Sequence, residues 1–273
     1  AVFEIPALFS TASANDFAGY GISLLKILGA DFISFGAEND NYKLLDTVAK
    51  VLTDKEHELA VKKHMEAGLN YAKARHNAIL EELKGSKEDI NEIKKLLASP
   101  NNILAIEYLK SIRLNNVAIK PVIISRSGSG YHEKEIEENK FSSATAIRKI
   151  VSESNSDIFI ESIKTAIPEV NIDLIEKSRP VFDDDFLLTV QRSILEKLGK
   201  GEDLSEYCDA SKELANTVEK NIFELENKSY SDFILKLKSK NFTYTRISRA
   251  IFHILLNHKN YSLILLDSID FFL

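Results

Sequence analysis

The feature that most constrains the fold is a short run of β-branched residues, Val122–Ile124, that leads into a glycine-rich polar segment, Arg126–His132. Such an apolar run is typical of a strand, and open α/β sheets place their ligands beyond the carboxyl ends of their strands. Gly128 and Gly130 allow backbone amides to approach a phosphate, and the guanidinium of Arg126 adds a forked positive charge. The segment therefore indicates a phosphate site, although an ordinary glycine-rich loop has the same composition.

A second apolar run, Asp31–Phe35, is also predicted to be a strand, and Gly36 is predicted to end it. Val2–Ile5 is predicted to be another short buried strand, with a helix between the two that ends at Gly29. Strand, helix and strand at this spacing are typical of a right-handed βαβ unit. We therefore expect Val2–Ile5 and Asp31–Phe35 to belong to one parallel sheet.

Most of the remaining chain has helical periodicity. Residues 41–97 are dominated by Lys, Glu, Ala and Leu, which predicts a helical insert, and Asn101–Leu114 is predicted to be an amphipathic helix before the strand Val117–Ser125. We expect an α/β fold whose parallel sheet carries this insert, followed by an all-α C-terminal domain, with the domains at residues 1–179 and 180–273. The helical segments predicted after Pro180 are Asp183–Leu198, Leu204–Glu226, Ser231–Lys240 and Thr245–Asn257.

Composition excludes several classes of protein. The 273 residues are 44% apolar, which is enough for a buried core, and the net charge of −6 argues against a protein coated in basic surface. The single cysteine, Cys208, permits no internal disulfide, and no apolar run approaches the length of a membrane span. We expect a cytoplasmic protein that does not associate with a membrane. Because the sequence begins without Met and inside an apolar run, we also expect a leading segment to be missing.

A helix start after the glycine-rich segment supports the phosphate hypothesis. Ser142 or Ser143 can cap the helix that carries Thr145 and Arg148, and its amino-terminal amides and dipole favour an anion. Arg148 adds a permanent positive charge one turn into the helix. A capped helix without a ligand is the alternative, so the pair of segments matters more than either one.

Asn101 and Asn102 lie at another predicted helix start, directly after Pro100. Asn101 can be simply the N-cap, but a side-chain amide at a helix start can equally bind an adenine or a ribose. Gly36 is similarly ambiguous, because a glycine after a strand often marks only a turn. If a nucleotide binds here, Gly36 lies where its base or ribose can press on the backbone.

The histidines form no metal-binding pattern, and no metal site is predicted. His57 and His64 lie in a Lys- and Glu-rich helix, so we expect both to be exposed. His253 lies in an apolar helix and is expected in the core.

Five basic residues near the C-terminus are interleaved with aromatic residues in this otherwise acidic chain. Such a pattern can hold RNA phosphates and stack unpaired bases. A solvated helix face is an equally good interpretation. The residues are Lys236, Lys238, Lys240, Arg246 and Arg249, with Phe242 and Tyr244 between them.

In combination, these segments resemble the bacterial tRNA(Met) cytidine acetate ligase family, within the nucleotidyltransferase superfamily marked by a His-x-Gly-His motif. The order of the segments is much more specific than any single one, and the resemblance covers most of the chain. It implies a Rossmann-like nucleotidyltransferase sheet followed by a tRNA-binding helical domain. The segments that carry it are Phe3–Pro6, Ser13–Gly21, Phe35–Glu38, Pro100–Lys110, Arg126–His132, Ser142–Lys149 and Thr245–Ala250.

The resemblance implies an enzyme that works in two steps. Acetate attacks the α-phosphate of ATP, giving acetyl-adenylate and pyrophosphate, and the acetyl group then passes to the exocyclic amine of the wobble cytidine of elongator tRNA(Met). Mg²⁺ is expected with the nucleotide. By position, the implied ATP contacts are Gly36, one of Asn101 and Asn102, Arg126 and Ser127, with Ser143, Thr145 and Arg148 around the phosphates. The implied RNA contacts are foremost Arg246 and Arg249, with Lys236, Lys238 and Lys240 beside them.

The sequence departs from the family at its start. The phosphate-binding loop and the His-x-Gly-His motif are expected upstream of Phe3, and the motif occurs nowhere in the 273 residues, so the catalytic residues are not identified. One alternative is an adenylyltransferase acting on a small cofactor precursor, which has no need of the basic residues near the C-terminus. The other is an RNA-binding remnant without chemistry, which would bind tRNA without exchanging ATP and pyrophosphate.

Overall fold

The computed structural model describes residues 1–126, 144–153, 167, 171–177, 180–227 and 229–260. The chain divides into two compact units, the first made mainly of Ala1–Lys149 and the second mainly of the residues that follow. Among the described helices, none combines the length and the apolar character that crossing a bilayer requires.

The first unit consists of helices around a small sheet. Several of its helices begin at residue types that are typical of N-caps: the side chains of Asn41, Asp54 and Asn70 accept hydrogen bonds from first-turn amides. In chain order the elements are α1 (Ala7–Ser10), α2 (Ala14–Ile27), β1 (Phe32–Ala37), α3 (Tyr42–Val51), α4 (Lys55–Glu66), α5 (Tyr71–Glu82), α6 (Ile90–Ala98), α7 (Pro100–Leu114) and β2 (Lys120–Ser125), and α8 (Ala144–Glu153) begins in this unit.

β1 and β2 pair in parallel, with Phe32 opposite Lys120 and Ala37 opposite Ser125. The helices α3 to α7 lie between the two strands in the chain, as a crossover between parallel strands requires. The α/β class, the parallel sheet and the helical insert are therefore confirmed. Because the last residues of the two strands, Ala37 and Ser125, are paired, both strands end at the same edge of the sheet. The segments that follow them therefore lie close together.

The core of the first unit holds α7 against the sheet and its neighbours. α7 packs on β1, α2 and α3. Leu44, Leu45 and Val48 of α3 and Ile106 and Leu109 of α7 are each at most 3% exposed. Burying a side chain of this size contributes about 1.5–3 kcal/mol, so these contacts fix the position of α7 and of its first turn.

The predicted strand at Val2–Ile5 is wrong. Residues 1–6 have no regular secondary structure, and Val2 is fully exposed. A short apolar run becomes a strand only if another strand satisfies its backbone groups, and in the described residues β1 pairs with β2 alone. The predicted end of the second strand is also wrong, because Gly36 lies inside β1, which continues to Ala37.

The regular secondary structure in the described residues of the second unit is helical, apart from an isolated bridge between Tyr207 and Lys259. Tyr207, Tyr230 and Phe233 are its largest fully buried side chains. The all-α prediction is therefore confirmed for the described part of this unit. Its helices are α9 (Ile172–Lys177), α10 (Leu187–Gly199), α11 (Lys212–Asn221), α12 (Tyr230–Leu237) and α13 (Tyr244–Leu255), with 3₁₀ turns at Asp183–Phe186, Leu204–Glu206 and Ile222–Asn227.

The prediction of one helix over Leu204–Glu226 is wrong. Asp209 has a φ of 61°, a left-handed conformation that interrupts any helix there. Ser211 then caps α11 by accepting a hydrogen bond from the amide of Leu214. Helical periodicity on both sides of this break made the two pieces look continuous in the sequence.

The prediction that His57 is exposed is also wrong. His57 is 4% exposed and its Nδ1 lies 2.9 Å from Oε1 of Glu82, on the neighbouring helix α5. The Lys- and Glu-rich composition of α4 indicated a solvated helix, but α4 packs on α5 and buries this side chain. His253 is 2% exposed, as predicted.

Candidate functional site

The carboxyl edge of the sheet places Gly36 directly beside Arg126. The amide of Arg126 donates to the carbonyl oxygen of Ala37 over 3.0 Å, which extends the ladder by one residue past β2. A Cβ on Gly36 would lie 3.2 Å from Cγ of Arg126, tighter than an ordinary contact. Glycine therefore lets the arginine side chain lie over the strand, while Arg126 itself remains exposed at the edge.

The start of α7 is capped by a residue from the other end of the insert. Glu38 follows β1, and its Oε2 accepts a hydrogen bond of 3.1 Å from the amide of Asn102. Its Oε1 accepts a hydrogen bond of 2.6 Å from Nδ2 of Asn101. A carboxylate at a helix start satisfies free amides and complements the helix dipole. Asn101 is therefore not the N-cap, a position that Ser99 occupies without a side-chain hydrogen bond.

Asn102 completes a reciprocal connection between β1 and α7. Its side chain is buried, and its Oδ1 accepts a hydrogen bond of 2.9 Å from the amide of Asn39, the residue after Glu38. Glu38 thus binds the first turn of α7 while Asn102 binds the loop that carries Glu38. These bonds bring Gly36, Glu38, Asn101, Asn102 and Arg126 to one edge of the sheet, and we call these five residues the strand-end cluster.

The other predicted phosphate contacts are placed less completely. Ser127 and Ser143 lie outside the described residues. Thr145 and Arg148 lie three residues apart on α8, so they share one face of that helix, and Arg148 is exposed. The structure therefore joins four of the predicted ATP contacts, Gly36, Asn101, Asn102 and Arg126, and puts two more on a single helix face.

The predicted RNA contacts lie in a basic segment, Lys236–Arg249, of the second unit. Lys238 and Lys240 are exposed. Lys236 instead forms an ion pair with Glu224, and Arg249 binds Asp209 through Nε–Oδ2 and Nη2–Oδ1 contacts of 2.9 and 3.1 Å.

The aromatic residues of the basic segment are not free stacking surfaces. Phe242 is 5% exposed and belongs to the core, and the guanidinium of Arg246 lies 5.3 Å from the centre of its ring. The hydroxyl of Tyr244 is 2.9 Å from that of Ser231. The expectation that these rings stack unpaired bases is therefore not supported at Phe242, where the buried ring has no face to offer.

Asp209 is held by two basic side chains. Burial opposes ionisation of its carboxyl, but hydrogen bonds from His253 and Arg249 and their charges outweigh burial and hold the pKa of Asp209 well below its usual range. His253 in turn faces His258, with their Nδ1 atoms 3.2 Å apart. Burial, with the neighbouring His253, lowers the pKa of His258. The contacts of Asp209 with Arg249 and His253 connect α13 to the loop before α11.

Within the described parts of the chain, no three His, Cys, Asp or Glu side chains are close enough to hold a metal ion. Glu38, the acidic member of the strand-end cluster, is already bound to Asn101 and Asn102.

Sequence reasoning missed the role of Glu38. In the segment Phe35–Glu38 only the glycine is distinctive, because an acidic residue one position after a strand is common. The available signal was a helix start, Pro100–Asn102, that lacks an acidic residue in its own first turn. Such a start leaves amides for an acid from elsewhere in the chain.

A parallel sheet whose strand ends carry glycine and arginine beside a helix start is typical of nucleotide-binding α/β proteins. The family model described as HIGH Nucleotidyl Transferase matches residues 1–269, so the chain belongs to that family.

Several curated proteins similar to this chain are tRNA(Met) cytidine acetate ligases. That of Clostridium kluyveri is 37% identical over 270 residues, which cover 95% of this chain and 64% of the relative. That of Halothermothrix orenii is 33% identical over 280 residues, covering 97% and 64%. The chain thus spans about 64% of the length of these relatives.

Two solved structures have the same fold. The apo crystal structure of Thermotoga maritima TmcAL superposes with a TM-score of 0.82 and 24% identity, covering 94% of this chain and 60% of that one. A second form, bound with alpha-thio ATP, has a TM-score of 0.80 at 24% identity and covers 94% and 59%. The likeness confirms the nucleotidyltransferase fold.

Proposed function

We propose that the protein activates acetate with ATP and transfers the acetyl group to the wobble cytidine of elongator tRNA(Met). The observation that carries the proposal is the strand-end cluster, where Gly36, Asn101 and Arg126 meet at the ligand-facing edge of a nucleotidyltransferase sheet. The names of the similar proteins support this choice of substrates, because each is a tRNA(Met) cytidine acetate ligase.

The charge distribution at this edge suits a triphosphate. Arg126 is exposed, and no acidic partner for its guanidinium occurs among the described residues, so its charge is available to a ligand. Adenylation moves negative charge onto the leaving pyrophosphate, and a preorganised arginine stabilises that charge as it develops. We propose that Ser127, Ser143, Thr145 and Arg148 surround the phosphates, and that Mg²⁺ arrives bound to the triphosphate.

Gly36 and Asn101 are proposed to bind the nucleoside. Gly36 has no Cβ, so the side chain of Arg126 lies close over the strand, and the nucleoside would bind against these two residues. Asn101 is partly exposed at the start of α7, whereas Asn102 is buried in its bond to Asn39. Asn101 is therefore the asparagine that a nucleotide can reach, and Asn102 fixes the loop.

For the tRNA, we propose a division of labour within the basic segment. Lys238, Lys240 and Arg246 contact RNA phosphates, because their charges have no carboxylate partner in the part of the chain that the structure describes. Lys236 and Arg249, which are paired with carboxylates, support them at the border of this surface. The proposal assigns ATP to residues 1–179 and tRNA to residues 180–273, in a protein of the cytoplasm.

Acetyl transfer tests the proposal directly. The full-length protein is incubated with [¹⁴C]acetate, ATP and an unmodified transcript of elongator tRNA(Met). Acid-insoluble label is expected, and it should vanish when the wobble cytidine of the transcript is replaced by uridine, which has no exocyclic amine. Omitting ATP provides the second control. Absence of label with the unaltered transcript, or equal label with both transcripts, would contradict the proposal.

A further inference from the structure

The carboxylate of Glu38 dictates which way the side-chain amide of Asn101 faces. An ionised carboxylate has acceptor oxygens and no donor, so the group of Asn101 that meets Oε1 over 2.6 Å must be the NH₂ of its carboxamide. The opposite orientation would set the carbonyl oxygen of Asn101 against a carboxylate oxygen, with no proton between them. The orientation of the Asn101 carboxamide is therefore fixed, because a carboxylate can only accept hydrogen bonds.

The carbonyl oxygen of Asn101 consequently points away from Glu38. Asn101 is partly exposed, and its Oδ1 has no hydrogen-bond donor within the described ranges of the chain. Asn102 has the reverse polarity, because its Oδ1 is used by the amide of Asn39, and its side chain is buried. Of the two asparagines, Asn101 is the one that can present a free acceptor to a ligand.

We propose that Glu38 is a positioning residue that turns the carbonyl oxygen of Asn101 toward the nucleoside, so that the site accepts a hydrogen bond from a donor of the ligand. ATP carries such donors in two places, the exocyclic amine of adenine and the ribose hydroxyls. This inference rests on the proposed ATP site and names the chemistry by which that site selects its nucleotide. Glu38 itself need not touch the ligand, since its second oxygen is bound to the amide of Asn102.

Two isosteric substitutions test this orientation. Each alone disturbs the pairing between positions 38 and 101, and the two together restore an acceptor that faces the ligand. In Glu38→Gln, the new amide can donate to Oδ1 of Asn101 and turn the NH₂ of Asn101 toward the ligand, where it would face another donor. In Asn101→Asp, two carboxylates would face each other. In the double variant, the glutamine amide at position 38 can donate to one oxygen of the aspartate carboxylate at position 101, and the other carboxylate oxygen is again an acceptor facing the ligand.

Nucleotide affinity, measured by isothermal titration calorimetry on the full chain, tests this arrangement. Each single variant should bind ATP about tenfold more weakly, as expected for a lost hydrogen bond with an unpaired partner. The double variant should recover affinity to within about threefold of the starting protein. A role of Glu38 in folding alone predicts no such recovery, since the double variant lacks both original groups. Amide NMR spectra of all variants establish that the fold is kept.

Analogues of ATP identify the donor. If the donor is the adenine amine, purine riboside triphosphate should bind the starting protein about tenfold more weakly than ATP, and Glu38→Gln should no longer distinguish the two. If the donor is a ribose hydroxyl, 2′-deoxy-ATP or 3′-deoxy-ATP should show that loss instead. Either pattern supports the inference.

Two results would overturn it, and they are distinguishable. If the starting protein binds ATP and Glu38→Gln binds ATP equally well, the polarity inference fails while the ATP site stands. If the starting protein shows no affinity for ATP, the proposed site fails and the inference fails with it.

Discussion

The strand-end cluster and the basic segment were both predicted from clusters of suggestive residues, but their charges are arranged differently. In the strand-end cluster, the one acid, Glu38, is bound to amides and leaves the guanidinium of Arg126 without an acidic partner in the described residues. In the basic segment, Lys236 and Arg249 are paired with Glu224 and Asp209. A positive charge in the sequence is thus available to a ligand only when the fold has not already used it.

The largest effect is expected from Arg126→Ala. Removing the unpaired guanidinium should weaken ATP binding about 100-fold, in line with the loss of charge-assisted hydrogen bonds. Arg113→Ala is the matched control, because Arg113 is bound to Asp46 and lies about 18 Å along α7 from Asn101. Calorimetry should find the control close to the starting protein. Equal losses of ATP affinity in the two variants would contradict the distinction between an arginine without an acidic partner and a paired one.

The two asparagines should separate binding from stability. Asn102→Ala removes a buried side chain and leaves the partly buried amide of Asn39 without its partner, and it should lower the stability of the α7 region by about 1–3 kcal/mol. Asn101→Ala removes a partly exposed side chain and should change stability by no more than about 0.5 kcal/mol while weakening ATP binding. Native-state hydrogen exchange of the α7 amides measures the first effect. The reverse ranking would show that the assignments of the two residues are exchanged.

Much of the strand-end cluster could be predicted from the sequence, since strand ends, glycines and a Pro-Asn-Asn helix start are local signals. The bond between Glu38 and Asn101 could not, because the two residues are 63 positions apart and their meeting depends on the packing of α7 on β1. The strand prediction for Val2–Ile5 was wrong for a related reason: a strand needs a partner strand, and local propensity does not reveal whether one is present.

Prediction was weaker for the basic segment. The pattern of charges was clear, but the Arg249 partner, Asp209, lies 40 positions away in a loop with left-handed backbone. The same loop divided what looked like one helix over Leu204–Glu226. Phe242 was counted as a stacking surface because aromatic residues beside lysines are typical of RNA-binding proteins, yet the helices bury its ring.

Within the basic segment, Lys240→Ala and Arg249→Ala should have different consequences. Loss of the exposed Lys240 should reduce the salt dependence of tRNA binding by about one released counterion without changing stability. Loss of Arg249 leaves Asp209 with a weakened set of partners and should lower the stability of the second unit by about 1–3 kcal/mol. Filter binding at several salt concentrations and hydrogen exchange of the α13 amides separate the two. Identical salt slopes for Lys240→Ala and the starting protein would remove Lys240 from the RNA surface.

The smallest effect is a pH dependence of the second unit. Because the pKa of His258 is lowered in the folded protein, the unfolded chain takes up the proton first. The contribution of the neutral His258 to folding stability is therefore complete above 6.5, the ordinary pKa of histidine, and is lost as the pH falls below that value. Asp209 stays ionised in this range, since its pKa is held below the usual value of 3.8.

After correction for the intrinsic pH dependence of exchange, the α13 amides should therefore exchange faster as the pH falls below 6.5. His258→Gln keeps a polar side chain near His253 but has no proton to take up, so its stability should depend less on pH in this range. The dependence should be shallow because His258 is partly solvated. A slope that survives in His258→Gln would assign the effect to another group.

The most direct test of the central claim is a titration of ¹⁵N-labelled protein with a non-hydrolysable ATP analogue, followed by transverse-relaxation-optimised NMR. The backbone amides of Gly36, Asn102 and Arg126 should show the largest shifts, while those of Lys238 and Lys240 should stay in place. Shifts confined to the basic segment, or no saturable shift at the strand-end cluster, would contradict the conclusion that the nucleotide binds at the carboxyl edge of the sheet.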